Sequence, residues 1–249
     1  MIAPVEVLNE EGQGKVVLLC EHASHRIPSE YGDLGLSEAD RLSHAVWDPG
    51  ARSLALQLSQ ALDAPVVAST VSRLVYDCNR PPEAASAMPE KSEQIMVPGN
   101  TGLTQAQRDA RTAAVYEPFC AVVSEVLNKR RADTVIVTVH SFTPVYFGQP
   151  RAVELGLLHD EDSRLVDAML NYVDRIPNRR TERNEPYGPT DGVTHSLRLH
   201  ALSRNLPNVM LEVRNDLLRT DEEIAVAAEE VLTLLLPALN DIAIKEDKS

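Results

Sequence analysis

Val135-Ile136-Val137-Thr138-Val139-His140-Ser141-Phe142 is a β-branched run that ends on a histidine and a hydroxyl. Such a run reads as a buried strand, and its polar pair falls where the strand leaves the sheet. In open α/β sheets that carboxyl edge is where ligands bind. The pattern occurs twice more, in Val16-Val17-Leu18-Leu19-Cys20-Glu21-His22 and in Val209-Met210-Leu211-Glu212-Val213-Arg214-Asn215. Three apolar strands, each delivering ionisable or metal-competent side chains, can place two imidazoles and a carboxylate in one crevice.

Outward from these runs the chain alternates strand and helix signals. Residues 1–14 read as an exposed polar lead-in. A strand over about 16–21 ends in a loop closed by Pro28. Ser37 is placed to cap a helix running towards His44, and Trp47-Asp48-Pro49-Gly50 then interrupts. Leu54, Leu58 and Leu62 give a helical period over 50–62, and 65–69 is a short strand. The apolar run after Ser72 delivers Asp77, Asn79 and Arg80 before two prolines end it. Residues 81–103 lack an apolar period and have the length of a lid or binding loop. Thr104 caps a helix to about Lys129, kinked or divided at Pro118.

Beyond the central run, 152–158 reads as a strand and 162–173 as a helix. Residues 175–193 are polar and locally basic, and 194–204 is a helix carrying His195 and His200. A last helix over about 220–239 precedes a charged tail at 241–249. The alternation predicts an α/β fold, a three-layer sandwich around a mixed, largely parallel central sheet, with 1–249 as one domain and no internal repeat.

Composition bounds the function. Hydrophobic residues at 43% and charged residues at 24% are ordinary for a globular protein. The 24 Lys and Arg against 37 Asp and Glu give a net charge of -13, which repels phosphate backbones and anionic membranes. Nucleic-acid and membrane partners are therefore not expected. No run approaches the roughly 20 apolar residues of a membrane span, and the start lacks the features of a signal peptide, so a cytoplasmic location is expected. Cys20, Cys78 and Cys120 show no CxxC spacing and read as reduced packing residues.

A metal that activates water needs histidine nitrogens, a carboxylate and an open coordination position. His22, His140 and either Asp48 or Glu21 supply those residue types. Asn79-Arg80 pairs an amide with a planar fork suited to bidentate capture of a carboxylate, or to an ordinary ion pair. Glu212, flanked by Leu211 and Val213, can be desolvated and so serve as a general base; the plainer alternative is a salt bridge to Arg214.

In combination, His22, then Asn79-Arg80, then His140-Ser141-Phe142, then Glu212-Val213-Arg214 resembles the order of elements in zinc carboxypeptidases. The position three after His22, where that family has a glutamate, is His25 here. A closer resemblance covers nearly the whole chain. Cys20 to Pro28, Trp47-Asp48-Pro49-Gly50-Ala51, Ser72 to Arg80, His140-Ser141-Phe142 and Leu211 to Asp216 resemble the N-formylglutamate amidohydrolase family, which is similar in fold to the zinc exopeptidases. That family removes the formyl group of N-formylglutamate in histidine degradation. Its histidine-pathway branch has Pro-His where this chain has Glu21-His22, and lacks the Pro-Gly after Asp48, so the chain resembles the other branch.

The resemblance implies one zinc ion held by His22, His140 and Asp48, the last preferred to Glu21 because both branches carry an aspartate there. It implies that Glu212 deprotonates the attacking water and later protonates the leaving amine. Arg80, with Asn79 and Arg73, would clamp the α-carboxylate of a small anionic N-acyl amino acid, with Ser141 beside them. Arg151 or an arginine of 175–183 would meet the side-chain carboxylate. The alternatives are a carboxypeptidase-like or other N-acyl amino acid deacylase, and a binding protein that keeps the pocket without catalysis.

Overall fold

The computed structural model describes residues 2–246. Seven strands build one mixed sheet: β1 (Val5–Leu8), β2 (Val16–Cys20), β3 (Val66–Ser69), β4 (Val135–Phe142), β5 (Leu155–Leu158), β6 (Thr181–Arg183) and β7 (Asn208–Arg214). Their order is β1-β3-β2-β4-β7-β5-β6. The central pairs β3/β2, β2/β4 and β4/β7 are parallel, as is β5/β6, while β1 pairs antiparallel with β3 and β5 with β7. Strands β2 and β4 are buried at every position, as expected of parallel strands covered on both faces.

Alternation along the strands divides the core. Val16, Leu18, Cys20, Val135, Val137, Val139, Val209, Leu211 and Val213 form one cluster with the helices α1 (Ala51–Leu62), α4 (Arg164–Leu170) and α5 (Asp221–Glu246). Between these in the chain come α2 (Gln105–Arg111) and α3 (Glu117–Asn128). Val17, Leu19, Val67 and Ile136 point the other way, into a cluster with Phe119 and Val123 of α3 and with Leu74 and Tyr76. Helices thus flank a mostly parallel sheet, and Cys20 is a fully buried packing residue whose thiol burial pushes well up.

Several local expectations are corrected. The 1–14 lead-in contains the edge strand β1: Val5 and Val7 alternate with Glu6, and that period of two suits a half-covered edge. Ser37 does bond the Asp40 amide at 3.1 Å, but only the 3-10 turn Asp40–Leu42 follows, since Leu42 remains exposed and no apolar face is there to be buried. Thr104 makes a capping box with Gln107 and opens a helical run that reaches Asn128, close to the expected end. A π segment, Thr112–Tyr116, joins α2 to α3 directly before Pro118, so the run is irregular where the proline takes an N–H out of it.

The expected 152–158 strand shortens to Leu155–Leu158, the 162–173 helix to Arg164–Leu170, and 194–204 holds the π turn Leu197–Ala201 and the 3-10 turn Leu202–Arg204. Helix α5 runs on through 241–246, where a tail was expected, and 247–249 lie outside the described residues. Among the described residues no helix is long and apolar enough to cross a membrane.

Candidate metal centre

Three parallel strands end at one edge and release their polar residues together. His22 follows β2, while His140 on β4 and Glu212 on β7 are register partners on neighbouring strands. Asp48 comes from the turn before α1, brought in by its own amide, which donates to the His22 carbonyl at 3.0 Å. Gly50 ends that turn at φ 82, and a Cβ there would lie 2.4 Å from the Leu218 Cβ, so the Asp48-Pro49-Gly50 turn needs its glycine. The Ser72 hydroxyl donates to the Val46 carbonyl at 2.8 Å and docks the Ser72 to Arg80 segment against the same turn.

His22 Nδ1 and His140 Nδ1 lie 3.1 and 2.9 Å from the same Asp48 oxygen, Oδ2, and 3.2 Å from each other. All three residues are buried. Two ring nitrogens facing each other at 3.2 Å repel when both carry protons, whereas a shared cation displaces both. The spacing approaches the roughly 3.3 Å between ligand atoms around a tetrahedral ion with bonds of about 2.0–2.1 Å. Glu21, Asp48, Asp77 and Glu212 also bring four carboxylates into one buried region, with Arg73 as the guanidinium in contact with two of them. Buried charge needs a partner, so both the donor set and the charge excess fit a divalent metal.

Each imidazole has a carboxylate behind it. His22 Nε2 lies 2.7 Å from Asp77 Oδ1, and Asp77 is held in turn by Arg73 Nη2 at 3.0 Å and the Asn79 amide at 2.9 Å. Behind His140, Glu21 Oε2 lies 3.2 Å from Nε2 but off the hydrogen-bonding direction, so neither atom gains a hydrogen bond. Burial opposes charge on His140, yet Glu21 and Asp48 outweigh it and hold the imidazolium well above the usual histidine range. Burial also opposes charge on Asp48, and His22, His140 and Arg73 overcome it, holding that carboxyl far below its usual range. Glu212 behaves oppositely: burial pushes its carboxyl up to about 7, with Asp48 adding to the effect and His140 working against it. Its Oε2 has no hydrogen-bond partner, and Arg214 turns away to Asp216 and Glu154.

A cavity of about 180 Å³ opens over His22, Asp48, His140 and Glu212. It is small beside the roughly 300–1,000 Å³ of drug-sized pockets and suits a metabolite the size of an amino acid. Arg80 lines it, donates one bond to the Asn79 carbonyl at 2.8 Å, and has no ion-pair partner among the described residues. Arg151 stands behind the lining residues, its guanidinium carbon 4.3 Å from the Tyr146 ring centre and 4.6 Å from that of Tyr187, with Nη1 buried and unpartnered.

Other expected substrate contacts are already engaged. Arg73 bonds Asp48 Oδ1 at 3.2 Å as well as Asp77, and Ser141 Oγ donates to the Pro49 carbonyl at 2.8 Å. The Asn79 side chain donates to the Val193 carbonyl and accepts from the Ser196 amide, tying the 193–196 turn to the site. Of the arginines in 175–183, Arg179, Arg180 and Arg183 pair with Glu230, Glu182 and Asp167, Arg175 stacks on Tyr172, and none lines the cavity.

Sequence reasoning gave no role to Asp77, although the same apolar run delivers it two residues before Asn79. It also passed over Tyr187, whose phenol burial and Glu212 push up to about 12, leaving it a donor beside the cavity. His44 and Glu93, paired at 2.8 Å over the cavity mouth, carried no local signal at all.

A mixed α/β sheet whose carboxyl edge gathers two imidazoles, a shared carboxylate and a buried carboxylic acid around a small cavity defines a hydrolase-type site with a metal-competent cluster. The chain matches the N-formylglutamate amidohydrolase family over residues 14–219 and belongs to it; amide-bond hydrolysis is the activity that goes with that family. It is 52% identical to a gene product of Agrobacterium tumefaciens over 97% of both chains, with a TM-score of 0.95. An N-formylglutamate amidohydrolase from Ralstonia eutropha, 18% identical over 100% of both chains, shares the fold at a TM-score of 0.69. No curated protein matches the chain.

Proposed function

We propose that the protein is a zinc-dependent amidohydrolase that converts N-formylglutamate, or a close N-acylated acidic amino acid, to the free amino acid and the carboxylic acid. The observation that carries this reading is the convergence of His22 Nδ1, His140 Nδ1 and Asp48 Oδ2 within 3.2 Å of one another beside the unpartnered Glu212 carboxyl. A zinc ion held by those three residues would polarise the acyl carbonyl and acidify water.

Glu212, with its carboxyl near pH 7, takes a proton from the attacking water and later delivers it to the amine nitrogen as the carbon–nitrogen bond breaks. Arg80 is the uncommitted fork that receives the α-carboxylate. Arg151, held rigid by its aromatic neighbours with a spare Nη1, supplies the charge for the side-chain carboxylate. Such local cations are needed for a dianion to enter a protein of net charge -13. The reading places the enzyme in the cytoplasm, in keeping with three unpaired cysteines.

Turnover of N-formylglutamate, N-acetylglutamate and short peptides, each measured before and after complete chelation, tests it. N-Formylglutamate is expected to be the best substrate and chelation to abolish turnover. Undiminished turnover without metal removes the mechanism, and faster cleavage of peptides moves the enzyme to the carboxypeptidase-like alternative.

A further inference from the structure

Glu21 is a fully buried carboxylate at this edge to which the mechanism above gives no part. Its side chain is 0% exposed, and neither carboxylate oxygen has a hydrogen-bond partner. A carboxylate without hydrogen bonds is strongly disfavoured in a protein interior. Among the described residues its ion-pair partner is His140, whose Nε2 lies 3.2 Å from Oε2. The buried Ser196 hydroxyl lies nearby as well.

His140 turns Nδ1 towards Asp48 and His22, and a ring that binds metal through Nδ1 carries its proton on Nε2, the atom that faces Glu21. The same relation holds on the other imidazole, where Asp77 stands behind His22. Its 2.7 Å bond is aligned and braced by Arg73, whereas the Glu21 contact is longer and unbraced. Glu21 directly follows β2 and His140 lies on the neighbouring strand β4, so the parallel pairing of the two strands brings these residues side by side.

We infer that Glu21 is a positioning residue for the metal centre: it stands behind His140, its charge favours the ring form that carries the proton on Nε2 and leaves Nδ1 free for the metal, and it is not a ligand itself. Outer carboxylates of this kind orient a histidine and raise its basicity. The inference rests on the zinc-dependent reading above and assigns a role to a residue that residue type alone left as a rival ligand to Asp48.

Zinc affinity of the full-length protein, measured by competition with a chelating indicator, tests it. Glu21→Gln keeps the shape and loses the charge, and its zinc affinity is expected to fall by about 10-fold or more. KM for N-formylglutamate at saturating zinc should stay within about twofold, because outer carboxylates act on the metal ligands rather than on bound substrate. The cobalt-substituted variant should keep the visible absorption intensity of the cobalt-substituted wild type, since no ligand is lost.

Glu21→Asp retains the charge but withdraws it by one methylene, and is expected to bind zinc with intermediate affinity; it carries the test if the glutamine variant does not fold. Unchanged zinc affinity in the tested variant overturns the inference while leaving the zinc enzyme in place. A collapse of the cobalt spectrum also overturns it, by making Glu21 a ligand. A wild-type protein that takes up no zinc overturns the functional reading and this inference together.

Discussion

The two faces of the sheet differ although the same strands make both. Towards α1, α4 and α5, residues such as Leu18, Val137 and Leu211 meet apolar neighbours. The opposite face is apolar as well over Val17, Leu19 and Ile136, but at its carboxyl edge Glu21, His140 and Glu212 bring in buried polar atoms that lack hydrogen bonds. Alternation along a strand separates the two tasks: one face is given over to cohesion, and the carboxyl edge of the other can hold polar groups in an arrangement that folding alone would disfavour. Substitutions on the two faces should therefore fail in different ways.

The largest effect is expected on the polar face. Glu212→Gln should leave zinc bound and lower kcat by about 10²- to 10⁴-fold, and normal turnover in that variant would remove Glu212 as the base. The same substitution should stabilise the metal-free protein. A carboxyl whose pKa rises from 4.5 to about 7 on folding adds stability below the lower value and loses it as pH climbs through the upper one. Melting temperatures of metal-free wild type and variant should therefore match near pH 4 and separate in favour of the variant near pH 8.

On the apolar face, Leu58→Ala in α1 removes a fully buried side chain and should cost about 2–5 kcal/mol in denaturant unfolding. Zinc affinity and KM of the folded fraction should be unchanged. A loss of zinc affinity as large as that of a ligand variant would show that the faces are not separable.

Arg80→Ala should act on substrate rather than on metal. Loss of a charged hydrogen-bonding pair is worth about 1.5–3 kcal/mol, or roughly 10- to 100-fold in KM. An unchanged KM would argue against the clamp. The smallest effect belongs to the cavity mouth, where Glu93 joins His44 Nε2 at 2.8 Å to the Phe147 amide at 3.0 Å. Glu93→Gln should shift stability by about 1 kcal/mol or less, since the pair is only partly buried, and a larger shift in the melting temperature would make that contact part of the fold.

The contrast between faces also explains what could be read from residue order. Strands β2, β4 and β7 are continuous apolar runs, so their existence and the delivery of His22, His140 and Glu212 to one edge follow from local pattern. The choice of Asp48 over Glu21 needed the family resemblance, because both are acids next to a turn or strand end. What separates them is tertiary: the Asp48 amide bonds the His22 carbonyl, while β2 directs Glu21 behind the neighbouring strand's histidine.

Arg73, Asn79 and Ser141 line the cavity, and each also has a partner in its own surroundings that no spacing reveals, such as Val193, 114 positions from Asn79. The segment 37–44 carried a helical signal yet formed a tight turn, and 194–204 is helical as expected but in wide and tight turns, because short stretches are shaped by the elements they pack on as well as by propensity.

Anomalous diffraction from crystals of the zinc-loaded protein, recorded on both sides of the zinc absorption edge, tests the central claim most directly. The account predicts one strong peak bonded to His22 Nδ1, His140 Nδ1 and one Asp48 oxygen, with Glu212 across the cavity and Glu21 out of bonding range. A protein that hydrolyses its substrate at full rate with no peak between those two imidazoles would contradict it.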